Sequence, residues 1–185
     1  MKVLVIDNFD SFVYNIVQAV EAMGHRVSVV DNLSLKQIGS DYSHIIISPG
    51  PGNPVNSADR GDLSSFMQDF SEKKILGICF GHQFLAHYLG AGISVGSRQY
   101  QGELDTIIHG DSPIYSGIPR SFQSIRYHSL TVSPSSGIIV DAISGADGSV
   151  MGFHNPSGNI FGVQFHPESH YSEFGERIIE NFLAV

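Results

Sequence analysis

Cys79 is the only cysteine in the chain, and it stands in the run Leu76-Gly77-Ile78-Cys79-Phe80-Gly81-His82-Gln83. Glycines two residues before and two after a thiol, between a strand-like apolar run and a helical pattern, have the spacing of a nucleophile elbow with sulfur in place of oxygen. Such a turn puts the thiol at a helix N-terminus, where aligned peptide dipoles favour thiolate. The next amide, that of Phe80, is placed to hold an oxyanion. Free cysteines more often sit inert in a core; the Gly-x-Cys-x-Gly frame is what points to a nucleophile. One cysteine also excludes an internal disulfide and a Cys-rich zinc site.

A thiol nucleophile needs a base, and the base needs an orienting group. Among nine histidines, His166 follows Gly162-Val163-Gln164-Phe165 and precedes Pro167-Glu168. An imidazole and a carboxylate therefore share a proline-stiffened loop at the end of a strand. His82 lies one helical turn from Cys79 and is expected to pack sideways rather than reach the sulfur. Pro49-Gly50-Pro51-Gly52 reads as a rigid turn whose Gly50 and Gly52 amides are free for a further partner, a second oxyanion element beside Phe80. Cys79, His82, His166 and His170 match no standard zinc spacing, so no metal site is expected. A phosphate loop of the G-x-x-x-x-G-K-[ST] type is absent, which leaves ATP hydrolysis without support.

The elements that must position these groups alternate in the first half. Val3–Ile6, Arg26–Val30, His44–Ile47 and Ile75–Ile78 read as strands. Between them, a helical stripe runs from Phe12 to Met23 and stops at Gly24, Leu63–Phe70 is helical, and Phe80–Leu89 is a helix ended by Gly90. Alternation of this kind predicts a parallel sheet covered on both faces, with chemistry at the carboxyl ends of its strands. The loops after Ile6, Ile47 and Ile78 are therefore the ones to watch. In the second half Leu104–Ile108, Ser124–Tyr127, Ile138–Ala142, Val150–Phe153 and Ile160–Phe165 read as hairpin or edge strands added to that sheet, and Ser172–Leu183 as a closing helix. No linker or repeat interrupts the chain, which predicts one domain over 1–185.

Composition narrows the function classes. Ten Lys+Arg against eighteen Asp+Glu give a formal net charge of −8 over 185 residues, a balance that repels phosphate backbones and anionic lipid. No nucleic acid and no membrane is expected as partner. The apolar run at Met1–Ile6 is too short for a signal peptide or a span, which predicts a cytoplasmic protein.

Five blocks, in order, resemble the class I (triad-type) glutamine amidotransferases, a resemblance spread along nearly the whole chain: Ile6–Asn15, Ile47–Gly52, Leu76–Gln83, Arg126-Tyr127-His128-Ser129-Leu130, and Gly162–Ser169. The opening Asn8-Phe9-Asp10-Ser11-Phe12 is similar to that of the small subunits of anthranilate synthase and aminodeoxychorismate synthase. The resemblance implies an α/β, flavodoxin-like, mostly parallel sheet with helices on both faces and added antiparallel strands. It implies Cys79 as nucleophile on L-glutamine, His166 as base and then acid, Glu168 as its orienter, and Gly52 with Phe80 as the oxyanion hole. Gly50, Pro51, Gly52, Gln83, Ser129 and Leu130 would hold glutamine; for Ser129 and Leu130 this comes from the resemblance alone. Ammonia would pass to a large chorismate-binding subunit, anthranilate synthase component I or aminodeoxychorismate synthase component I. No cofactor is implied on this chain, and Mg2+ is implied on the partner.

Two segments depart from the family pattern. Gln101-Gly102-Glu103-Leu104-Asp105 stands where His-Gly-Lys and then Thr-Ser are common, and His170-Tyr171 follows Glu168-Ser169 where an aliphatic residue is usual. The first lies near the large subunit in the family, so it bears on partner coupling. Both synthase branches share every block; the resemblance is read first as the anthranilate synthase subunit of tryptophan biosynthesis, with the p-aminobenzoate branch, or one subunit serving both pathways, as the alternative. A cysteine peptidase-like hydrolase also uses a Cys elbow on such a sheet, but lacks the Gly162–Ser169 block and the Pro-Gly-Pro-Gly turn. A non-catalytic regulator would be signalled by loss of a triad residue, and all three are present.

Overall fold

The structure, a computed structural model, describes residues 1–185. Its centre is a nine-stranded sheet. Five adjacent strands are parallel: β2 (Arg26–Asp31), β1 (Lys2–Asp7), β3 (His44–Ile47), β4 (Lys74–Ile78) and β11 (Ile160–Val163). The sheet then continues antiparallel through β10 (Val150–His154), β9 (Ile139–Ser144), β6 (Glu103–His109) and β7 (Ser121–Arg126). The doubly covered parallel half and the antiparallel addition thus agree with expectation.

Successive strand residues face opposite sides, and this divides the core in two. Val3, Val5, Leu76 and Ile78 pack beneath α1 (Val13–Ala22) and α5 (Gly175–Leu183), which contribute Ile16, Val20, Ile178 and Phe182. Leu4, Ile6, Ile45 and Ile75 face α3 (Leu63–Phe70) and α4 (Phe80–Tyr88), with Phe66, Met67, Phe84 and Leu85. Near-continuous apolar strands are what a sheet buried on both faces requires. A short helix, α2 (Ser57–Arg60), precedes α3 and is capped by Asn56, whose side chain accepts from the Ala58 amide. No helix is long and apolar enough to cross a membrane.

Three details differ from the sequence reading. The closing helix starts at Gly175 rather than Ser172, because Phe174 takes a left-handed conformation (φ 57°) and turns the chain. Strand β11 ends at Val163 rather than Phe165. A separate antiparallel ribbon, β5 (Gly92–Val95) with β8 (Leu130–Ser133), lies outside the main sheet. Its exposed, nearly patternless β5 gives no period-2 signal.

Candidate active site

The carboxyl ends of β1, β3, β4 and β11 lie side by side, since all four strands run parallel in register. Cys79 terminates β4 and caps α4, with φ 51° and ψ −100°. That is left-handed backbone in a non-glycine residue, a strain of about 1–3 kcal/mol. Burial of a single flanking side chain such as Ile78 or Phe80 is worth a similar amount, about 1.5–3 kcal/mol. The fold therefore tolerates the turn provided its neighbours allow it.

They allow it because they are glycines. A Cβ on Gly77 would stand 2.4 Å from the Gly81 carbonyl, and one on Gly81 would stand 2.3 Å from the Ile47 carbonyl oxygen. The Cys79 amide donates to Val163 O at 2.9 Å, and its carbonyl accepts the Gln83 amide at 3.0 Å. The first amides of α4, beginning with Phe80, have no preceding turn to bond.

His166 follows β11 by three residues. Its Nδ1 donates to Glu168 Oε1 across 2.6 Å, with both side chains almost wholly buried. Burial opposes a charge on this ring. The charge of a Cys79 thiolate, its proximity to the imidazole, and then the Glu168 carboxylate outweigh burial and raise the His166 pKa well above its ordinary value. Nε2 is buried and makes no formed hydrogen bond, so thiol and ring act on each other without being locked together. Such looseness is common before substrate arrives.

The loop is fixed from behind. Ser172 Oγ donates to the His166 carbonyl at 2.7 Å, and the His166 amide donates to Ile125 O at 3.3 Å. Phe12 and Tyr127 present their rings edge-on to the imidazole, at 6.2 and 5.1 Å between centroids. Spacing in the sequence singles out neither aromatic as a neighbour of the imidazole. The position of each within a quoted block was the only available signal.

The other site residues fall in two groups. Gln83 and Leu130 are brought together: Gln83 Nε2 donates to Gln164 Oε1 at 3.0 Å and to Leu130 O at 3.4 Å. Ser129 precedes Leu130 at the head of β8, and its carbonyl accepts the Gly96 amide at 2.7 Å. Gly50, Pro51 and Gly52 form the second group, directly after the Ile47 carbonyl that touches Gly81. Asn8 shapes this turn by donating from its amide to Ser48 Oγ (2.9 Å) and from Nδ2 to Ser48 O (2.8 Å). Gly50 is pressed against Asn8, where a Cβ would stand 2.5 Å from the Asn8 Cβ. Gly52 has φ 91° and leans on Asp59. Pro51 and Gly52 are exposed, and neither glycine amide donates within the chain.

His82 packs sideways as expected. It lies against Phe153 at 4.9 Å, and burial, only partly offset by the nearby Gly162 backbone, lowers its pKa to about 3. His170 is exposed. It lines a cavity of about 590 Å³ between α1, α5 and the Pro167–Glu168 loop, and Cys79 is not part of its wall. A thiol at a helix N-terminus, an imidazole beside it and a carboxylate behind it can supply a nucleophile, a base and an orienting group for acyl transfer.

Comparison with known proteins gives the same direction. The family model for class-I glutamine amidotransferases matches residues 4–185. Anthranilate synthase component 2 of Saccharolobus solfataricus is 42% identical over 188 residues, covering 97% of this chain and 96% of that one. An aminodeoxychorismate synthase of Streptomyces pristinaespiralis is 35% identical over 187 residues, covering 98% of this chain and 26% of that longer protein. A solved glutamine amidotransferase of Thermotoga maritima superposes with a TM-score of 0.81 at 20% identity, over 91% of this chain and 76% of that one, and shares its fold.

Proposed function

The chain belongs to the class-I glutamine amidotransferase family, and from that premise we propose that it is the glutaminase subunit of an anthranilate synthase. It hydrolyses L-glutamine and delivers the ammonia to a large chorismate-binding subunit. The observation that carries this reading is the buried His166–Glu168 pair beside the Cys79 elbow.

Glutamine lies with its carboxamide over the thiol. Gly50, Gln83 and the Ser129–Leu130 backbone hold its other end. Cys79 Sγ attacks the carboxamide carbon, and His166 Nε2 takes the thiol proton. Negative charge gathers on the carboxamide oxygen, where the Phe80 and Gly52 amides receive it. His166 then gives its proton to the departing ammonia, leaving a glutamyl thioester. A water molecule, deprotonated by the same nitrogen, attacks the thioester; glutamate leaves and the thiol returns. Glu168 accepts from Nδ1 throughout, so that Nε2 alone exchanges protons.

A second reading keeps the chemistry and changes the product to p-aminobenzoate, and the similarity to an aminodeoxychorismate synthase supports it. Mixing the chain with a chorismate-binding large subunit, chorismate and L-glutamine decides between them. Anthranilate and glutamate are expected. p-Aminobenzoate in place of anthranilate would move the assignment to the second reading, and failure to release glutamate would overturn both.

A further inference from the structure

Arg126 is wholly buried, and each of its five N–H donors is used. Nη1 donates to Asp105 Oδ2 at 2.5 Å and Ser144 Oγ at 3.0 Å, and Nη2 to Ser149 Oγ at 2.9 Å and Asp147 Oδ2 at 3.4 Å. The guanidinium carbon stands 3.6 Å from the centre of the Tyr100 ring. Two carboxylates and a stacked aromatic account for the buried charge. They do not account for Nε, which donates to His128 Nε2 at 3.0 Å.

That last bond has a consequence for the imidazole. A guanidinium cannot accept a hydrogen bond, so His128 Nε2 must be the acceptor and the proton of the neutral ring is fixed on Nδ1. Nδ1 in turn donates to the Leu130 carbonyl at 2.8 Å, the same oxygen that Gln83 approaches. Burial first, opposed by the Leu130 carbonyl and reinforced by the Arg126 charge, lowers the His128 pKa to about 4 and keeps the ring neutral.

We propose that Arg126 and His128 are positioning residues for glutamine: Arg126 sets the tautomer of His128, and His128 holds the Ser129–Leu130 backbone in the orientation that grips the substrate. The proposal rests on Ser129 and Leu130 being glutamine contacts, as given above. It explains why a charged group is buried here at all, at a place where an apolar side chain would be less costly. Lysine offers a point charge without the planar fork and cannot take over the role.

The test uses the full chain with a diazo-ketone analogue of glutamine that alkylates Cys79, and iodoacetamide as a thiol probe that needs no glutamine site. His128→Leu removes the donor to Leu130 and should raise the analogue concentration for half-saturation about tenfold, the size of one lost hydrogen bond. The limiting alkylation rate and the iodoacetamide rate should stay within about twofold, since the transition state keeps its own contacts. His128→Asn, whose amide nitrogen stands in the place of Nδ1, should recover most of the loss. Arg126→Lys keeps a cation near Asp105 but lacks Nε–H, and should weaken saturation in the same direction.

Unchanged half-saturation in His128→Leu overturns the proposal. So does a parallel fall in the iodoacetamide rate with no recovery in His128→Asn, the pattern of a general packing loss. If glutamine gives the unaltered chain no protection against the analogue, the glutaminase reading itself fails, and this proposal falls with it.

Discussion

Glu168 holds the Nδ1 side of His166 across 2.6 Å, two residues further along a loop in which both side chains are shut away from solvent. A carboxylate only accepts, so the ring keeps its proton on Nδ1 and turns its basic nitrogen away from Glu168. The carboxylate thus does two things for the proposed chemistry. It selects the tautomer that can act as a base, and it stabilises the imidazolium that forms when the thiol gives up its proton.

Replacing Glu168 by Gln should therefore cost far more than one hydrogen bond. The amide can donate to Nδ1 and so favours the wrong tautomer, and glutaminase kcat is expected to fall by about 10²-fold or more. The comparison that checks it is kcat for the two chains at equal thermal stability. A variant within a few-fold of the original would remove Glu168 from the proposed triad.

His82 makes a prediction about acid stability. Its folded pKa is about 3, below the ordinary imidazole value of 6.5. Between those values the unfolded chain binds a proton that the folded chain does not. Folding stability therefore rises with pH across that window, and it is lost as pH falls from about 6.5 toward 3. At about 1.4 kcal/mol per unit, the effect is of order a few kcal/mol. His82→Leu should stay folded to lower pH than the original chain in an acid titration followed by circular dichroism. An unchanged acid midpoint would contradict the assignment.

Gly175 links the closing helix to the base. A Cβ there would stand 1.8 Å from the Pro167 carbonyl oxygen, in the very loop that joins His166 to Glu168. Gly175→Ala must push that loop away, and a shift of about 1 Å at a reacting group costs on the order of 10²-fold in rate. Glutaminase kcat should fall while the far-UV circular dichroism of the chain changes little. Loss of both together would show that the substitution unfolds more than the loop.

What could be read from sequence followed the chemistry. The elbow declared itself because Gly77 and Gly81 sit two residues either side of the thiol, and the backbone contacts they make leave no room for a side chain. His166 and Glu168 were visible because they share one short loop. The Arg126 cluster was not, since Asp105, Ser144, Asp147 and Ser149 converge only through the pairing of β6, β7 and β9 and the turn that joins β9 to β10. An isolated arginine in a sequence reads as surface. Asp105 shows the same limit: it belongs to a segment associated with partner coupling, yet the fold buries it against Arg126. The late start of α5 was hidden too, because it depends on Phe174 turning left-handed where the chain passes Pro167.

In the proposed reaction Cys79 carries the glutamyl group as a thioester once ammonia has left. Incubating the chain with L-glutamine, quenching in acid and mapping peptides by mass spectrometry tests it directly. One glutamyl group on the peptide containing Cys79 is expected, absent when His166→Ala or Cys79→Ser replaces the original chain. Continued release of glutamate by Cys79→Ser, or turnover with no acyl group on Cys79 at any quench time, would contradict it.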